Sequence, residues 1–422
     1  MKKRGSAGLQ VIFHRVCGLD VHKKTVVACL RILDPSGQVH TEIRRFGTMT
    51  RELRDLRAWL QRASVTHVAM ESTGVFWKPV YNILEGHGMA VWVINAQHLK
   101  KVPGRKTDVT DADWIAQLLQ CGLVRPSFVP DRTQRALRDL TRQRTRLAQQ
   151  RVTVTNRVHK VLEDANIKLA AVASDALGVS GRNMLAAIIG GQDDSAALAE
   201  LARRRLRGKI PQLRLALEGQ VTDHHRFLLR ELLDQLDYVE RKIATLTARI
   251  EHIAPPLFKH GTALLDTVPG IAPHAAQAIL AETGTNMEQF PSPQHLCSWA
   301  AQCPGNRESG GKRRSGKPAA GNKWLGAVLT EAAQAASHTK GTYLNAQYHR
   351  ITPRRGEKRA IGALKHSMLT AIYFMIRDQV PYKDLGPDHF TRINPDQQTR
   401  YHVRKLEHLG HKVQLTPANA AA

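Results

Sequence analysis

Leu229, Leu232, Leu236, Val239, Ile243, Leu246, Ile250 and Ile253 step by three, four, three, four, three, four and three. Only an α-helix returns side chains at that spacing to one face. Sustained over several heptads with charged flanks, it predicts a coiled coil rather than an ordinary amphipathic helix. The helix must end at Ala254-Pro255-Pro256, because proline lacks a backbone donor and blocks the turn. Upstream, residues 131 to 162 read as a second, very basic helix. Its Leu137, Leu140, Leu147, Val154, Val158 and Val161 follow spacings of three and four, interrupted by Arg144 and Arg151. These heptad helices are expected to join subunits. The polar, helical stretch between them, around Gly178 to Gly219, reads as a hinge or a small helical insert.

The first part of the chain alternates as strands do. Val16 to Asp20, Thr25 to Ile32 and Val39 to Phe46 read as three antiparallel strands, with a turn at Asp34-Pro35-Ser36-Gly37. A helix from Thr50 to Ala63 carries Leu53, Leu56 and Leu60 on one side. A strand over Val65 to Met70, a helix over Phe76 to Glu85 and a strand over Met89 to Ile94 follow. This order predicts an α/β domain on the ribonuclease H-like plan, a mixed sheet flanked by helices.

Lys and Arg number 62 against 36 Asp and Glu, a net charge of +26. That excess favours DNA or RNA as partner, because each phosphate contact releases counterions. Five cysteines with no Cys-x-x-Cys pair support neither a zinc ribbon nor a disulfide framework, and fit a reduced, cytosolic setting. No run reaches the roughly 18 apolar residues of a membrane span.

Within this basic chain four carboxylates stand out. Asp20 lies in Gly18-Leu19-Asp20-Val21-His22-Lys23, and Glu71 in Met70-Glu71-Ser72-Thr73-Gly74. Asp108 and Asp111 lie in Lys106-Thr107-Asp108-Val109-Thr110-Asp111-Ala112, where a helical pattern starts. Acids at strand ends can meet a pair spaced three apart on a helix, which share one face. Carboxylate oxygens with water are what Mg²⁺ prefers, and two such ions can clamp an in-line phosphoryl transfer. Taken alone, Asp108 and Asp111 read equally well as first-turn acids facing the helix dipole. Asp113 points to another face and is held in reserve. His22 is read as structural, on the argument that strand neighbours point to opposite faces. Lys23, Lys100, Lys101, Arg105 and Lys106 flank the acids and are expected to hold phosphates near them. Arg138, Arg142 and Arg146 are spaced along a helix, as suits contact with an RNA or DNA backbone.

Past the double proline, Leu265 to Leu280 looks like a helix-hairpin-helix, with Val268-Pro269-Gly270-Ile271 as the hairpin and Gly270 at a phosphate. Cys303 to Lys317 is Gly-rich and basic. Arg307, Lys312, Arg313 and Arg314 suit a phosphate clamp. A serine there is a candidate nucleophile, given something to activate its hydroxyl. Residue types alone favour a flexible nucleic-acid-binding loop, and no nucleotide-binding P-loop pattern is present. An Ala-rich helix follows Gly321-Asn322-Lys323-Trp324-Leu325 and runs through Ala336.

These motifs together resemble those of a group of bacterial transposases, the insertion-sequence family numbered one hundred and ten. The acidic segments around Asp20, Glu71, Asp108 and Asp111 look like its DEDD set. Val268-Pro269-Gly270, Ser309-Gly310-Gly311-Lys312, Gly321 to Leu325 and Arg354-Arg355-Gly356 look like its C-terminal transposase domain. The resemblance implies a RuvC-like first domain binding Mg²⁺, with Mn²⁺ as a substitute, through Asp20, Glu71, Asp108 and Asp111. It implies a catalytic serine, matched best by Ser309 and next by Ser315. It further implies a structured guide RNA (the bridge RNA), target and donor double-stranded DNA, and a tetramer built as a dimer of dimers. The expected division is a catalytic domain over 1–130, a coiled-coil region for oligomerisation and RNA contact over 131–255, a mainly α transposase domain over 256–380 and a tail over 381–422. The expected setting is the bacterial cytoplasm, at the nucleoid when DNA is bound. The competing expectation is a RuvC-like structure-specific endonuclease that uses metal-activated water.

Overall fold

The computed structural model describes residues 10–72, 74–95, 111–305, 307–315, 321–393 and 395–416, with 307–309, 313–315 and 397–398 described by backbone alone. It divides into two compact units, residues 1–129 and 130–422.

The first unit is mixed α/β. Its strands are β1 (Arg15–Val21), β2 (Thr25–Leu33), β3 (Val39–Gly47), β4 (His67–Glu71) and β5 (Ala90–Ile94), in spatial order 3-2-1-4-5. The two hairpins pair antiparallel, and β4 and β5 join parallel to β1. Helices α1 (Thr50–Arg62) and α2 (Trp77–Leu84) cover one face, where Leu53, Leu56, Leu60, Val80 and Leu84 pack on Leu19, Met70 and Val93. Helix α3 (Asp111–Gln120) covers the other, where Ile115, Leu118 and Leu119 pack on Val16, Ala69 and Ile94. The alternation along β1 sorts its side chains between the two faces. The outer strand β3 is exposed and carries Glu42, Arg44 and Arg45, charges that discourage another strand from pairing with it.

The second unit is mostly helical. Helix α4 (Arg132–Asp164) starts at Asp131, whose carboxylate accepts the Gln134 N–H at 2.8 Å. A module of short helices follows: α5 (Leu169–Val172), α6 (Val179–Ile189), α7 (Ser195–Glu200), a 3-10 turn (Arg204–Lys209) and α8 (Ile210–Leu217). Met184, Leu185, Ile188, Leu198, Leu213 and Leu217 form its core, so this stretch is a helical insert and not a hinge. Helix α9 (Asp223–Ile253) then returns antiparallel along α4, with Arg151 Nε 2.8 Å from Glu240 Oε1. The heptad seam therefore has its partner within the chain. Leu229 packs in the insert core, Ile250 in the C-terminal core, and Leu236 and Val239 are buried between. A helix tethered by a short insert meets its own chain at a far higher effective concentration than it meets a second copy.

Helices α10 (Pro256–Asp266), α11 (Pro273–Thr283), α12 (Pro293–Trp299), α13 (Lys323–His338), α14 (Tyr343–Arg355) and α15 (Glu357–Asp378) build the C-terminal core around Leu265, Ile279, Leu280, Leu329, Leu364 and Ile372. A two-stranded hairpin, β6 (Arg307–Ser309) and β7 (Lys312–Ser315), interrupts the helices. Short helices α16 (His389–Ile393) and α17 (Pro395–His408) end the described chain. Among the described residues no helix is long and apolar enough to cross a membrane.

Candidate active site

Three of the four acids lie among the described residues of the first unit. In the parallel pairing of β1 with β4, Gly18 lies opposite Ala69 and Leu19 opposite Met70. Carried one residue further, that register would set Asp20 beside Glu71, at the C-terminal ends of adjacent strands about 4.8 Å apart. Parallel strands in register send such side chains to the same face. Val16 and Ala69 show which face it is, since both pack under α3. Asp111 is the first residue of that helix and is exposed.

Gly18 is what brings α3 so close. A Cβ there would collide with the carbonyl oxygen of Ala112 and lie 3.0 Å from the Ala116 Cα. Any other residue would hold the helix off the strand, and Asp111 with it. Ala112 and Ala116 are fully buried and keep the helix side of the contact small.

Asp20 keeps 27% of its side-chain surface exposed, and its Oδ2 lies 3.1 Å from His22 Nε2. His22 thus corrects the strand-neighbour argument. It stands two residues from Asp20, and a period of two returns it to the same face. Asp113 points elsewhere, as expected: it accepts from Arg31 at 2.7 Å and from the Cys29 thiol at 3.3 Å. Burial, followed by the charge of Asp113, pushes that thiol up to about 12. Asp108, Lys100, Lys101, Arg105 and Lys106 lie outside the described residues. Among the described residues, no three Asp, Glu, His or Cys side chains converge as a metal cage. The donor set nevertheless suits a hard divalent cation, since it consists of carboxylates that solvent reaches. Lys23 is exposed in the turn after β1.

The serines belong to the second unit. Gly310 and Gly311 have φ of +60° and +73°. Two successive positive φ values make the tight turn whose twist suits a two-residue hairpin. Ser309 pairs with Lys312 beside that turn, and Ser315 pairs with Arg307 at the open end. What reads as a flexible loop is therefore an ordered hairpin at the level of its backbone. Lys312 is exposed; Arg307, Arg313 and Arg314 are placed by backbone register alone.

A buried carboxylate anchors the chain on which the hairpin stands. Glu282 of α11 is 2% exposed and takes a bidentate pair from Arg142 at 2.7 and 2.8 Å. It also accepts from Asn322 Nδ2 at 2.6 Å, and Asn322 caps α13 just after the hairpin. Arg138 lies 3.4 Å from the same carboxylate and donates to the Ala281 carbonyl at 2.9 Å. Burial lowers the Arg138 guanidinium to about 10, against the raising pull of Glu282. Arg138 and Arg142 are expected at a nucleic-acid backbone, but the structure engages both within the chain. Buried guanidinium needs a carboxylate partner, and Glu282 supplies it. Arg146 is exposed, with its guanidinium 5.2 Å from the Trp324 ring centre. Glu282→Ala is expected to destabilise the second unit by about 3–5 kcal/mol, because two arginines and an amide lose one buried partner. Thermal unfolding of the variant measures this, and a melting point within a degree of the parent would contradict it.

The segment expected as a helix-hairpin-helix forms two helices, α10 and α11, joined by a turn. Gly270 has φ +87°, and a Cβ there would come within 2.6 Å of the Ala336 N on α13. The glycine thus serves close packing against the Ala-rich helix. The amides of Thr267, Val268 and Ile271 bond to Leu264, Leu265 and Val268 carbonyls. Sequence reasoning missed Glu282 and the role of Asn322. The one legible signal was Asn322 before an apolar run, the mark of a helix cap.

A family model for the DEDD transposases of IS110 matches residues 17–167. A second, described as the transposase IS116/IS110/IS902 family, matches residues 262–349. A probable family 20 transposase of Pseudomonas aeruginosa is 28% identical over 276 residues, which cover 64% of this chain and 70% of that protein. The acid-bearing sheet and the helices around the serine hairpin thus each carry a match to IS110 transposases, and the chain belongs to the IS110 family of transposases, enzymes that act on DNA.

Proposed function

We propose that the chain is an RNA-guided DNA recombinase that cuts and rejoins donor and target DNA through a serine. The observation that carries this reading is the packing of strands and helix described above. Asp20 and Glu71 end adjacent parallel strands, and Gly18 lets α3, whose first residue is Asp111, pack closely on β1. The strand order 3-2-1-4-5 supports a RuvC-like domain over 1–130. Asp20, Glu71, Asp108 and Asp111 would hold Mg²⁺, or Mn²⁺ in its stead, which supplies Lewis-acid stabilisation of charge on the scissile phosphate.

Ser309 is the nucleophile in this reading. Its hydroxyl oxygen forms a bond to phosphorus and loses its proton, while the bond from phosphorus to the departing sugar oxygen breaks and that oxygen gains a proton. One phosphoester replaces another, so the link can be reversed onto a different strand. Lys312, paired to Ser309, places a cation beside the attacked phosphate. Residues 256–380 would form the serine-bearing domain and 381–422 the tail. The region 131–255 would contact a structured bridge RNA and pair subunits towards a tetramer. Its exposed Val152 and Tyr238 suit such pairing, since the seam itself is engaged in cis.

The test is a covalent one. Protein, RNA and DNA incubated with Mg²⁺ should yield a protein–DNA adduct that survives denaturant, and chelation of the metal should prevent it. Cleavage that leaves free ends and no adduct would favour the second reading, a RuvC-like endonuclease acting through metal-activated water.

A further inference from the structure

The second unit holds an open groove of 1430 Å³ beside the serine hairpin. One wall is the segment Ala301–Pro304, which runs into β6. The opposite walls come from α13, α14 and α15. Arg355, Lys358 and Arg359 are exposed along the rim, and Lys365 is half-buried in the lining. Glu357 is the single acid in that lining. A small-molecule site is ordinarily about 300–1,000 Å³, so this groove suits a stretch of polymer better than one metabolite.

One recessed group is short of a partner in a way that points to a ligand, and a half-buried amine lines the groove with it. The Gln347 side chain donates to Ser367 Oγ at 2.9 Å, while its Oε1 is buried and has no hydrogen-bond partner. Exchanging the amide's oxygen and nitrogen moves the deficit to the other end without removing it, because Ser367 meets one end only. A buried polar atom left unpaired calls for an explanation, and a ligand group in the groove is one. Burial pushes the Lys365 amine below the usual lysine range. Both groups line the groove together with the three exposed cations. A single strand can lay its phosphates along the rim and turn a base down to the amide, which has the donor and acceptor pattern that reads a base edge.

We propose that this groove binds the single-stranded segment of DNA next to the cut, with phosphates on Arg355, Lys358 and Arg359 and one base on Gln347 and Lys365. The proposal rests on the strand-exchange reading above, in which a strand leaves its duplex before it is rejoined. Residues 350–367, which carry most of these groups, lie beyond the match to the second family model.

Binding of a short labelled oligonucleotide to the full-length protein, single-stranded or annealed, tests this in chelator, where no cutting occurs. The single strand should bind more tightly than the duplex. The double variant Lys358→Ala, Arg359→Ala should lose about tenfold of that affinity, and its salt slope should fall by about 1.4 for two lost phosphate contacts. Gln347→Leu should narrow the differences among the four homopolymers while the melting temperature holds. Equal losses for single strand and duplex, or unchanged single-strand affinity, would overturn the proposal, as would a preference for RNA of the same sequence. An adduct still formed at the parental rate by the double variant would sink the groove and spare the serine. Strand binding without any adduct in the parent would do the reverse.

Discussion

Ser309→Ala should abolish the denaturant-resistant adduct and strand transfer while leaving affinity for RNA and DNA near that of the parent. Loss of a nucleophile in a serine enzyme lowers turnover on the order of 10⁶-fold, because no other group can form the covalent bond. The backbone should tolerate the change. Ser309 closes a hairpin whose geometry is set by Gly310 and Gly311 at φ +60° and +73°, not by the serine side chain. The hairpin also separates the two candidates. Ser309 sits beside the tip, whereas Ser315 pairs with Arg307 at the base, next to a register shift. Gel analysis after denaturation reads the outcome. An adduct that persists in Ser309→Ala and disappears in Ser315→Ala would transfer the role to Ser315.

Asp20→Asn should lower DNA cleavage by about 10³-fold, or about 4 kcal/mol of barrier, with little change in stability. Asparagine keeps the shape and loses the charge that a divalent cation needs. The fold should survive because the side chain is 27% exposed and stands at the end of its strand, outside the core. Titration with Mn²⁺ gives a second readout, since weaker metal binding should accompany the lost activity. Parental cleavage in this variant would remove Asp20 from the site.

The sequence showed the acids but not how the strands that carry them pair. The alternation through Val16, Gly18 and Asp20 is visible because strand periodicity is local. The register of β1 on β4 is a pairing across about fifty residues, and no local pattern encodes it. The three-strand meander, α1 and the helical remainder were legible for the same local reason. The serine hairpin was not, because its strands are Arg, Lys, Glu and Ser rather than the β-branched residues that signal a strand. Glycine pairs at a two-residue turn were the available clue. Arg138 and Arg142 look like phosphate ligands because their partner, Glu282, lies some 140 residues away. The heptad seam gave the helix correctly, but periodicity says nothing about whether its partner is the same chain or another.

Helix α4 has 33 residues, so at 1.5 Å per residue it extends about 50 Å. The insert at one end and the serine-bearing helices at the other are therefore held apart by a stiff double strut. A duplex covers the same distance in about 15 base pairs. Any nucleic acid that touches both ends at once must present features separated by more than one helical turn, and a shorter substrate can engage only one end at a time.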